Sequence, residues 1–408
     1  MDAAYNPYNP GAGAPPPELA GRDGLIKRAE TALERIKRKR PTKSLIMLGL
    51  RGVGKTVLLN RIEELAEAAG AQTAMFEADP EKSLPAQLAP QLHRLLLRLD
   101  RIKRVGHELS NAFGTLRAFA TAFTAKVGEL EFGLSGGQAT GDLAIDLTDL
   151  FVAIGEAAQK RDTAAVILVD EVQYVSKADL SALIVALHKI SQRQLPLILF
   201  GAGLPQLAKL AGDAKSYAER LFDYPDIGRL DEEAARLALV EPARREDVAF
   251  ADDALAFVLE ETERYPFFLQ VWGAKCWETA ERSPITLADA KAATKAAIAS
   301  LDESIFNVRL ARLSERQKEY ARAMAELGPG PCSSADVARA LGATQSQVAP
   351  YRDDLIQKGM AYAPERGQIA FTVPKFDAFM RRRAPMPSAK TPGPKPPSGP
   401  RIRRVAKS

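Results

Sequence analysis

Eight consecutive residues near the start of the chain combine glycines, a lysine and a hydroxyl at fixed spacing. They read Gly49-Leu50-Arg51-Gly52-Val53-Gly54-Lys55-Thr56 and fit G-x-x-x-x-G-K-[ST] at every fixed position. Glycines let backbone amides turn inward around an anion, a lysine can contact the β- and γ-phosphates, and a threonine hydroxyl can ligate Mg²⁺. The pattern predicts a loop that binds ATP with Mg²⁺. A chance glycine-rich turn is the alternative, which an apolar run before the loop and a helix after it argue against.

Two carboxylates follow an apolar run further along the chain. Ala165-Val166-Ile167-Leu168-Val169 leads directly into Asp170 and Glu171. Asp170, at the end of a strand, would hold Mg²⁺ through its water shell, and Glu171 would act as general base on the attacking water. A buried strand followed by a capping aspartate is the alternative. With the loop upstream we favour the catalytic interpretation, and Glu171 is the main reason to expect hydrolysis.

Apolar runs of strand length, separated by helical patterns, must position both motifs. Runs that are apolar on both faces indicate a parallel sheet covered on both sides. We therefore predict an α/β fold: a parallel-sheet P-loop NTPase core with a helical lid and a C-terminal winged helix-turn-helix. The predicted strands are Ser44–Leu48, Gln72–Glu77, Ala164–Val169 and Leu195–Phe200, and the helices near them are 24–39, Lys55–Ala69 and Leu84–Arg104.

Composition divides the chain further. We expect an inserted β-hairpin or loop around Lys126–Leu134, where apolar and polar residues alternate before two glycines. The predicted divisions are a flexible Pro/Gly-rich lead (1–20), the ATPase core (21–228, with an insertion at 105–142), the helical lid (229–303), the winged helix (304–380) and a disordered basic tail (381–408).

At this point the chain resembles a known group over about residues 5–380. It looks like an actinobacterial or phage-type ATPase of the AAA+/STAND group, near the AAA domain of archaeal-type replication initiators. The resemblance rests on the glycine-rich loop and on four further segments, which are Gly21-Arg22-Asp23, Asp170-Glu171-Val172-Gln173, Arg220-Leu221-Phe222 and Tyr265-Pro266.

The resemblance implies roles for individual residues. It places Leu19, Gly21 and Arg22 beside the adenine, and it makes Arg220 a candidate arginine finger acting on the ATP of a neighbouring copy, in an ATP-dependent homo-oligomer. A surface ion pair is the alternative for Arg220. Catalytic roles then fall to Glu171, Lys55 and Arg220, and the remaining expected nucleotide contacts are Gly49, Arg51, Gly52, Val53, Gly54, Lys55, Thr56, Val57 and Pro266.

Two departures from the group's pattern affect the rate of ATP hydrolysis that we expect. The strand after the acidic pair ends in Gly201-Ala202-Gly203, where a polar sensor residue is usual, and the lid has Arg264 where STAND proteins have a glycine. Both departures argue against a replication initiator. They favour a slow, switch-like ATPase over a processive motor.

Residues 313–380 read as helix, tight turn, helix and hairpin, which is the winged-helix order. If this module reads duplex DNA, the exposed polar candidates are Gln345, Ser346, Gln347 and Arg352 on the recognition helix, with Lys358 and Arg366 of the wing on phosphate. Asp353 and Asp354 oppose a phosphate backbone, so contact with a protein is the alternative.

Charge is concentrated at one end of the chain. Residues 381–408 carry nine basic and no acidic residues, and subtracting them from the net charge of +5 leaves the rest at −4. A flexible basic segment attracts phosphate without sequence preference, although it can also serve solubility or acidic proteins. No apolar run approaches the roughly 20 residues of a membrane span, and no signal peptide is visible. We therefore expect a cytoplasmic protein with no membrane partner.

Together these features predict an ATP-binding and ATP-hydrolysing switch that couples nucleotide state to a DNA-associated winged helix. The main alternative is a non-hydrolysing, ATP-bound regulatory or scaffold protein whose winged helix contacts protein. A third reading is a pathogen- or phage-response signalling ATPase.

Overall fold

The computed structural model describes residues 1–11, 13–102, 107–124 and 139–383 of the chain. It divides into two compact units, the first ending at Leu301 and the second beginning at Asp302. Each unit is described by itself below.

A parallel sheet organises the first unit. Within the described residues its strand order is β2-β3-β4-β1-β5, and every neighbouring pair is parallel. The strands are β1 (Ser44–Leu48), β2 (Gln72–Glu77), β3 (Ala165–Asp170), β4 (Leu197–Gly203) and β5 (Phe222–Asp223). Every residue of β1, β3 and β4 is buried, because helices cover both faces of the sheet. The carboxyl ends of these strands consequently meet at one edge.

Helices flank the sheet and then continue without strands. None of those in the described ranges combines the length and apolar character that crossing a membrane demands. Their bounds are α1 (Asp23–Lys37), α2 (Lys55–Ala68), α3 (Leu84–Ile102), α4 (His107–Phe123), α5 (Leu143–Lys160), α6 (Lys177–Arg193), α7 (Leu207–Ala214), α8 (Ala218–Leu221), α9 (Glu232–Arg245), α10 (Asp252–Glu261), α11 (Pro266–Thr279) and α12 (Leu287–Leu301). We call α9–α12 the lid.

Part of the predicted insertion is helical. Residues His107–Phe123 form α4, whose Leu116 and Phe119 are at most 1% exposed. They belong to the same apolar core as Leu92 of α3 and Phe151 of α5. Burial against two neighbouring helices therefore makes α4 part of the core. The predicted strand pair at Lys126–Leu134 lies outside the described residues.

The lead before α1 is packed against the lid, which corrects the prediction of a flexible segment over 1–20. Tyr8 is 5% exposed, and its hydroxyl donates to the carbonyl oxygen of Leu239 at 2.5 Å. Asn6 donates to the carbonyl of Ala274 (3.2 Å), and the Trp277 indole donates to that of Asp2 (2.8 Å). A Pro- and Gly-rich segment cannot build a core of its own. These residues instead cover apolar helices built from distant sequence.

The described part of the second unit consists of helices and short strands. They are α13 (Asn307–Ala311), α14 (Glu315–Glu326), β6 (Cys332–Ser333), α15 (Ser334–Ala340), α16 (Gln345–Gln357), β7 (Ala361–Tyr362), β8 (Gln368–Phe371) and α17 (Phe376–Arg383). The three strands are antiparallel in the order β6-β8-β7. Buried Tyr320, Leu355, Ile369 and Phe379 bring α14, α16, α17 and the hairpin onto one core.

The start of the predicted basic tail also needs correction. Arg381 belongs to α17 and pairs with Asp377 at 2.7 Å, while Arg382 pairs with the buried Asp302 at 2.7 Å. Residues 381–383 are therefore part of the folded unit. The remainder of the predicted tail lies outside the described residues.

Candidate nucleotide site

The glycine-rich loop connects β1 to α2 at the carboxyl edge of the sheet. Gly52 and Gly54 have φ of +84° and +91°, a region that residues with a Cβ rarely enter. At Gly49 a Cβ would lie 2.3 Å from the carbonyl oxygen of Ile227, so only glycine fits there. Because α2 begins directly after Gly54, the positive end of its dipole points at the loop. The backbone therefore has the form that an anion-binding loop requires.

Lys55 lies inside the loop rather than in solvent. It is 6% exposed, and its Nζ donates to the carbonyl oxygens of Gly49 (3.0 Å) and Leu50 (2.9 Å). Burial lowers the pKa of its ammonium group, while the nearby carboxylates of Glu171 and Asp170 oppose that shift. A largely desolvated cation next to a dipole-positive loop strongly favours a bound polyanion such as a triphosphate.

Thr56 and Asp170 meet where α2 begins and β3 ends. The threonine hydroxyl donates to Asp170 Oδ2 at 2.5 Å, and the amide of Glu171 donates to Oδ1 at 2.8 Å. Burial raises the pKa of Asp170, and these two hydrogen bonds oppose the rise. A hydroxyl and a carboxylate are hard oxygen donors, the kind that Mg²⁺ accepts alongside water and phosphate. The pair therefore fits the predicted metal role.

Glu171 is held in an unusual backbone conformation directly after β3. Its φ of +51° is left-handed, which is uncommon for a residue with a side chain and is concentrated at functional sites. Its Oε2 accepts a hydrogen bond from Nε2 of Gln173, and Oε1 lies 3.7 Å from Nη1 of Arg51. The other guanidinium nitrogen, Nη2 of Arg51, donates to the Tyr174 hydroxyl at 2.8 Å. The side chains of Gln173 and Arg51 therefore contact the predicted general base, and Tyr174 holds Arg51 in turn.

The lid contacts the loop through the turn that starts α11. The hydroxyl of Tyr265 donates to the carbonyl oxygen of Arg51, and the amide of Phe267 donates to that of Gly52 at 3.1 Å. A Cβ on Gly52 would lie 3.0 Å from Cβ of Phe267. Pro266, predicted as a nucleotide contact, is the first residue of α11 between these two anchors. The phosphate loop and the lid are thus directly hydrogen-bonded.

The residues predicted to flank the adenine lie where the lead meets the loop. Arg22 is 9% exposed and donates through Nη2 to the carbonyls of Gly228 (2.7 Å) and Val53 (3.3 Å). Gly21 has φ of +69°, and a Cβ there would lie 2.6 Å from that of Ala234. Arg22 therefore joins the glycine-rich loop to the segment between β5 and α9. Leu19 on the lead and Val57 in the first turn of α2 are half-buried.

Arg220 lies away from the loop. It is exposed on α8 and lines an open cleft of about 560 Å³ together with Arg35, Lys43 and Asp223. None of the loop residues lines that cleft within the described chain. A role in trans, on a second copy, stays a prediction.

The residues predicted to read DNA separate into two groups. Gln345, Ser346 and Arg366 are exposed at the start of α16 and at the hairpin tip. Gln347 also lies at the surface, but its side chain is used in the capping box of Thr344. Arg352 was expected to be exposed and is instead half-buried.

The contacts of Arg352 explain this correction. Its Nε donates to Ser334 Oγ at 3.1 Å, and its Nη2 donates to the carbonyl of Gln368 at 3.3 Å. The guanidinium therefore joins α15, α16 and β8. Lys358 is also used internally, since its Nζ donates to the carbonyl of Arg312 (2.8 Å) and to Gln317 Oε1 (2.7 Å). The charged groups of Arg352 and Lys358 thus donate to acceptors within the second unit.

Sequence reasoning gave no role to three polar residues at the site, namely Gln173, Tyr174 and Tyr265, although Gln173 and Tyr265 lie in segments that carry the resemblance. Each follows or precedes a motif residue, so a signal existed. Gln173 and Tyr174 lie two and three residues after Glu171, and Tyr265 directly precedes Pro266. Their side-chain partners come from distant segments, and a linear pattern does not identify those partners.

Comparison with known proteins identifies two segments of the chain that match domain families. Residues 18–200 match the AAA ATPase domain family, and residues 303–380 match a domain family of unknown function. A comparison of the sequence with curated proteins gave no match. Among solved structures, the chain is similar to the Walker-type ATPase PABY2304 of Pyrococcus abyssi, with 14% identity, a TM-score of 0.57, and coverage of 89% of this chain and 96% of that one.

A second structural neighbour is more distant. Cdc6p of Pyrobaculum aerophilum shows 15% identity and a TM-score of 0.45, over 94% of this chain and 97% of that chain. At 14% identity, the likeness to the Pyrococcus abyssi ATPase shows the fold alone. The glycine-rich loop and the acidic pair both lie within residues 18–200, the segment that matches the AAA ATPase domain family, and the first unit has the α/β fold of a P-loop NTPase core.

Proposed function

We propose that the chain is a slow ATP-hydrolysing switch in which the lid reports the state of the phosphate loop. The observation that carries the proposal is the pair of hydrogen bonds from the lid residues Tyr265 and Phe267 to the carbonyls of Arg51 and Gly52. Any rearrangement of the loop around phosphate acts on these bonds. Lid position then depends on whether the site holds ATP, ADP or neither.

In this mechanism the loop binds and orients the triphosphate, and Lys55 places its charge on the β- and γ-phosphates. Thr56 and Asp170 would hold Mg²⁺, which supplies charge neutralisation on the phosphates when bound. Glu171 takes a proton from water as the water oxygen bonds to the γ-phosphorus. The bond between that phosphorus and the oxygen bridging to ADP breaks, and the products are ADP and inorganic phosphate. General-base assistance of this kind contributes about 10²–10⁴-fold to a rate.

Slow turnover is proposed from two features of the site. Arg51 lies 3.7 Å from the Glu171 carboxylate, in an ion pair that occupies the predicted base. The end of β4 also carries no polar side chain, since it reads Gly201-Ala202-Gly203. These features suit a switch that remains in its ATP state for long periods.

The coupling can be measured by hydrogen–deuterium exchange on the full chain with ATP, with ADP and without nucleotide. We expect exchange at Gly49–Thr56 and at Tyr265–Phe268 to slow together by about tenfold with ATP, since about 1.4 kcal/mol of preference for one lid arrangement suffices. Tyr265→Phe, which removes the hydroxyl bond to Arg51, should weaken the response of the lid. Tyr5→Phe is the matched control, because Tyr5 is 64% exposed. Protection of the loop with an unchanged lid would rule out the switch.

For the second unit we propose a winged helix that contacts duplex DNA through the start of α16 and the hairpin tip. Support comes from the exposure of Gln345, Ser346 and Arg366, and from the six basic residues of 384–408. The alternative, contact with a protein, is favoured by the internal use of Arg352 and Lys358, which removes two charges from the surface available to phosphate.

Deleting 384–408 distinguishes these sources of affinity and leaves Arg381 and Arg382 in place. We expect duplex binding at low salt to weaken by about tenfold or more, with a shallower salt dependence, and yet to persist. Arg366→Ala in the truncated chain should weaken it again. Arg316→Ala is the control, since that arginine is on α14 in an exposed pair with Glu319. Complete loss of binding on truncation would assign DNA contact to the tail alone.

A further inference from the structure

One polar side chain connects the predicted general base to the end of a neighbouring strand. Gln173 lies in a short 3₁₀ turn, Val172–Tyr174, directly after Glu171. Its Oε1 accepts a hydrogen bond from the amide of Leu204 at 3.0 Å, and its Nε2 donates to Oε2 of Glu171. The amide group thus spans from the residue after β4 to the carboxylate after β3.

The bond to Leu204 fixes which end of the side-chain amide faces the carboxylate. A backbone N–H can only be accepted by the amide oxygen, so the NH₂ group must point at Glu171. A neutral donor orients a carboxylate without adding a positive charge beside it. Arg51, the other partner of Glu171, is a cation and is also bound to Tyr174. Gln173 is therefore suited to fix the direction of the carboxylate.

The glycine at the end of β4 makes room for this arrangement. A Cβ on Gly203 would lie 2.8 Å from Oε1 of Gln173 and 2.7 Å from Cδ2 of Leu207. Both are closer than real Cβ contacts allow. The φ of Gly203 is not in the left-handed region, so space rather than backbone conformation requires glycine here. The absence of a side chain at Gly203 and the position of Gln173 therefore depend on each other. The Gln173 amide occupies the space that a side chain at the end of β4 would fill.

We propose that Gln173 is a positioning residue for ATP hydrolysis, which holds the Glu171 carboxylate at a fixed position relative to the end of β4. The inference rests on the proposed function, since it acts through Glu171. It contacts Glu171 and the β4 end, and no role in binding the nucleotide is assigned to it. Its loss should therefore lower the rate of the chemical step and spare nucleotide affinity.

The test compares Gln173→Met, which keeps length and loses both hydrogen bonds, with Gln173→Glu, which can still accept from Leu204 but cannot donate to Glu171. We expect both to lower kcat by about 10- to 100-fold, as misplacement of a reacting group by about 1 Å does. KM for ATP should stay within about threefold. Gly203→Ala should act in the same direction, because its methyl group displaces the Gln173 amide.

Gln192→Met is the matched control on an exposed glutamine of α6, and it should hydrolyse ATP at the wild-type rate. In a Glu171→Gln background, Gln173→Met should lower turnover by less than about twofold, since a residue acting through another has nothing left to position. Wild-type kcat in Gln173→Glu, or a full additional loss in the double variant, would overturn the proposal. If Glu171→Gln itself turns over like wild type, the proposed hydrolysis is wrong, an outcome distinct from failure of the Gln173 role.

Discussion

Replacing Glu171 with glutamine should lower single-turnover hydrolysis of ATP by about 10²–10⁴-fold while leaving the affinity for ATP within a few fold. Glutamine has the same shape and can still meet the Gln173 amide and Arg51, so the loop keeps its form. It cannot take a proton from water. The contribution of a base appears only in the transition state, and for this reason kcat falls while binding does not. Phosphate release and a fluorescent-nucleotide titration measure the two effects separately.

The matched control is Glu64→Gln on α2, a residue 66% exposed in a pair with Arg61. It should behave as wild type in both assays, since an exposed pair of this kind stabilises by at most about 1 kcal/mol. If Glu171→Gln hydrolyses ATP as fast as wild type, with and without DNA, the base is assigned wrongly. The ATP-bound scaffold then becomes the better description of the chain.

The parts of the site that sequence could predict are those fixed by local chemistry. Strands β1 and β2 were predicted with the bounds they have, Ser44–Leu48 and Gln72–Glu77. The apolar run of β1 is buried inside the sheet, as expected of a run apolar on both faces, whereas β2 is only partly buried and forms one edge of the sheet. The loop follows from the same locality: glycine at positive φ is required where the backbone must surround an anion. Motif and element agree, so the position of Lys55 follows from both.

Contacts between residues far apart in the chain could not be predicted from the sequence. The lead reads as disordered by composition, yet Tyr8 is buried against Leu239 and Gly273, residues more than 200 positions away. Arg352 was predicted as an exposed residue of the recognition helix that reads DNA, yet it donates hydrogen bonds to Ser334 and Gln368. In each case the side chain contacts a residue far away in the sequence, which a local sequence pattern does not identify. Propensity is then overridden by the free energy of satisfying a buried polar group.

The same reason explains why Gln173 was not recognised as part of the site. The departure at the end of β4 was visible as an absence of polar side chains in Gly201-Ala202-Gly203. Its counterpart, a glutamine reaching in from the adjacent strand end, depends on the parallel register that places Val169 opposite Gly201. When the end of one strand lacks an expected polar side chain, the turn after the neighbouring strand can supply a polar side chain in its place.

Replacing Lys55 with methionine should lower ATP affinity by about 100-fold or more and, as a consequence, remove turnover at ordinary ATP concentrations. The ammonium is buried and donates to the carbonyls of Gly49 and Leu50. Bound phosphate would add negative charge to that of the nearby carboxylates of Glu171 and Asp170. A charge–charge contact at about 4 Å is worth about 4 kcal/mol near a protein surface. Binding with radiolabelled ATP at equilibrium measures the loss directly.

Thermal unfolding separates this loss from simple misfolding. Methionine matches the length of lysine and removes a buried cation, whose pKa is already lowered by burial, so the variant without nucleotide should unfold at the wild-type temperature or above it. ATP at about 100 times its Kd should stabilise the wild type by about 2.7 kcal/mol, and the variant should show almost none of this. Lys43→Met, on an exposed lysine that bonds to the Glu219 carbonyl, is the control and should keep the full stabilisation. Equal stabilisation by ATP in the Lys55 variant would place the triphosphate somewhere other than the glycine-rich loop.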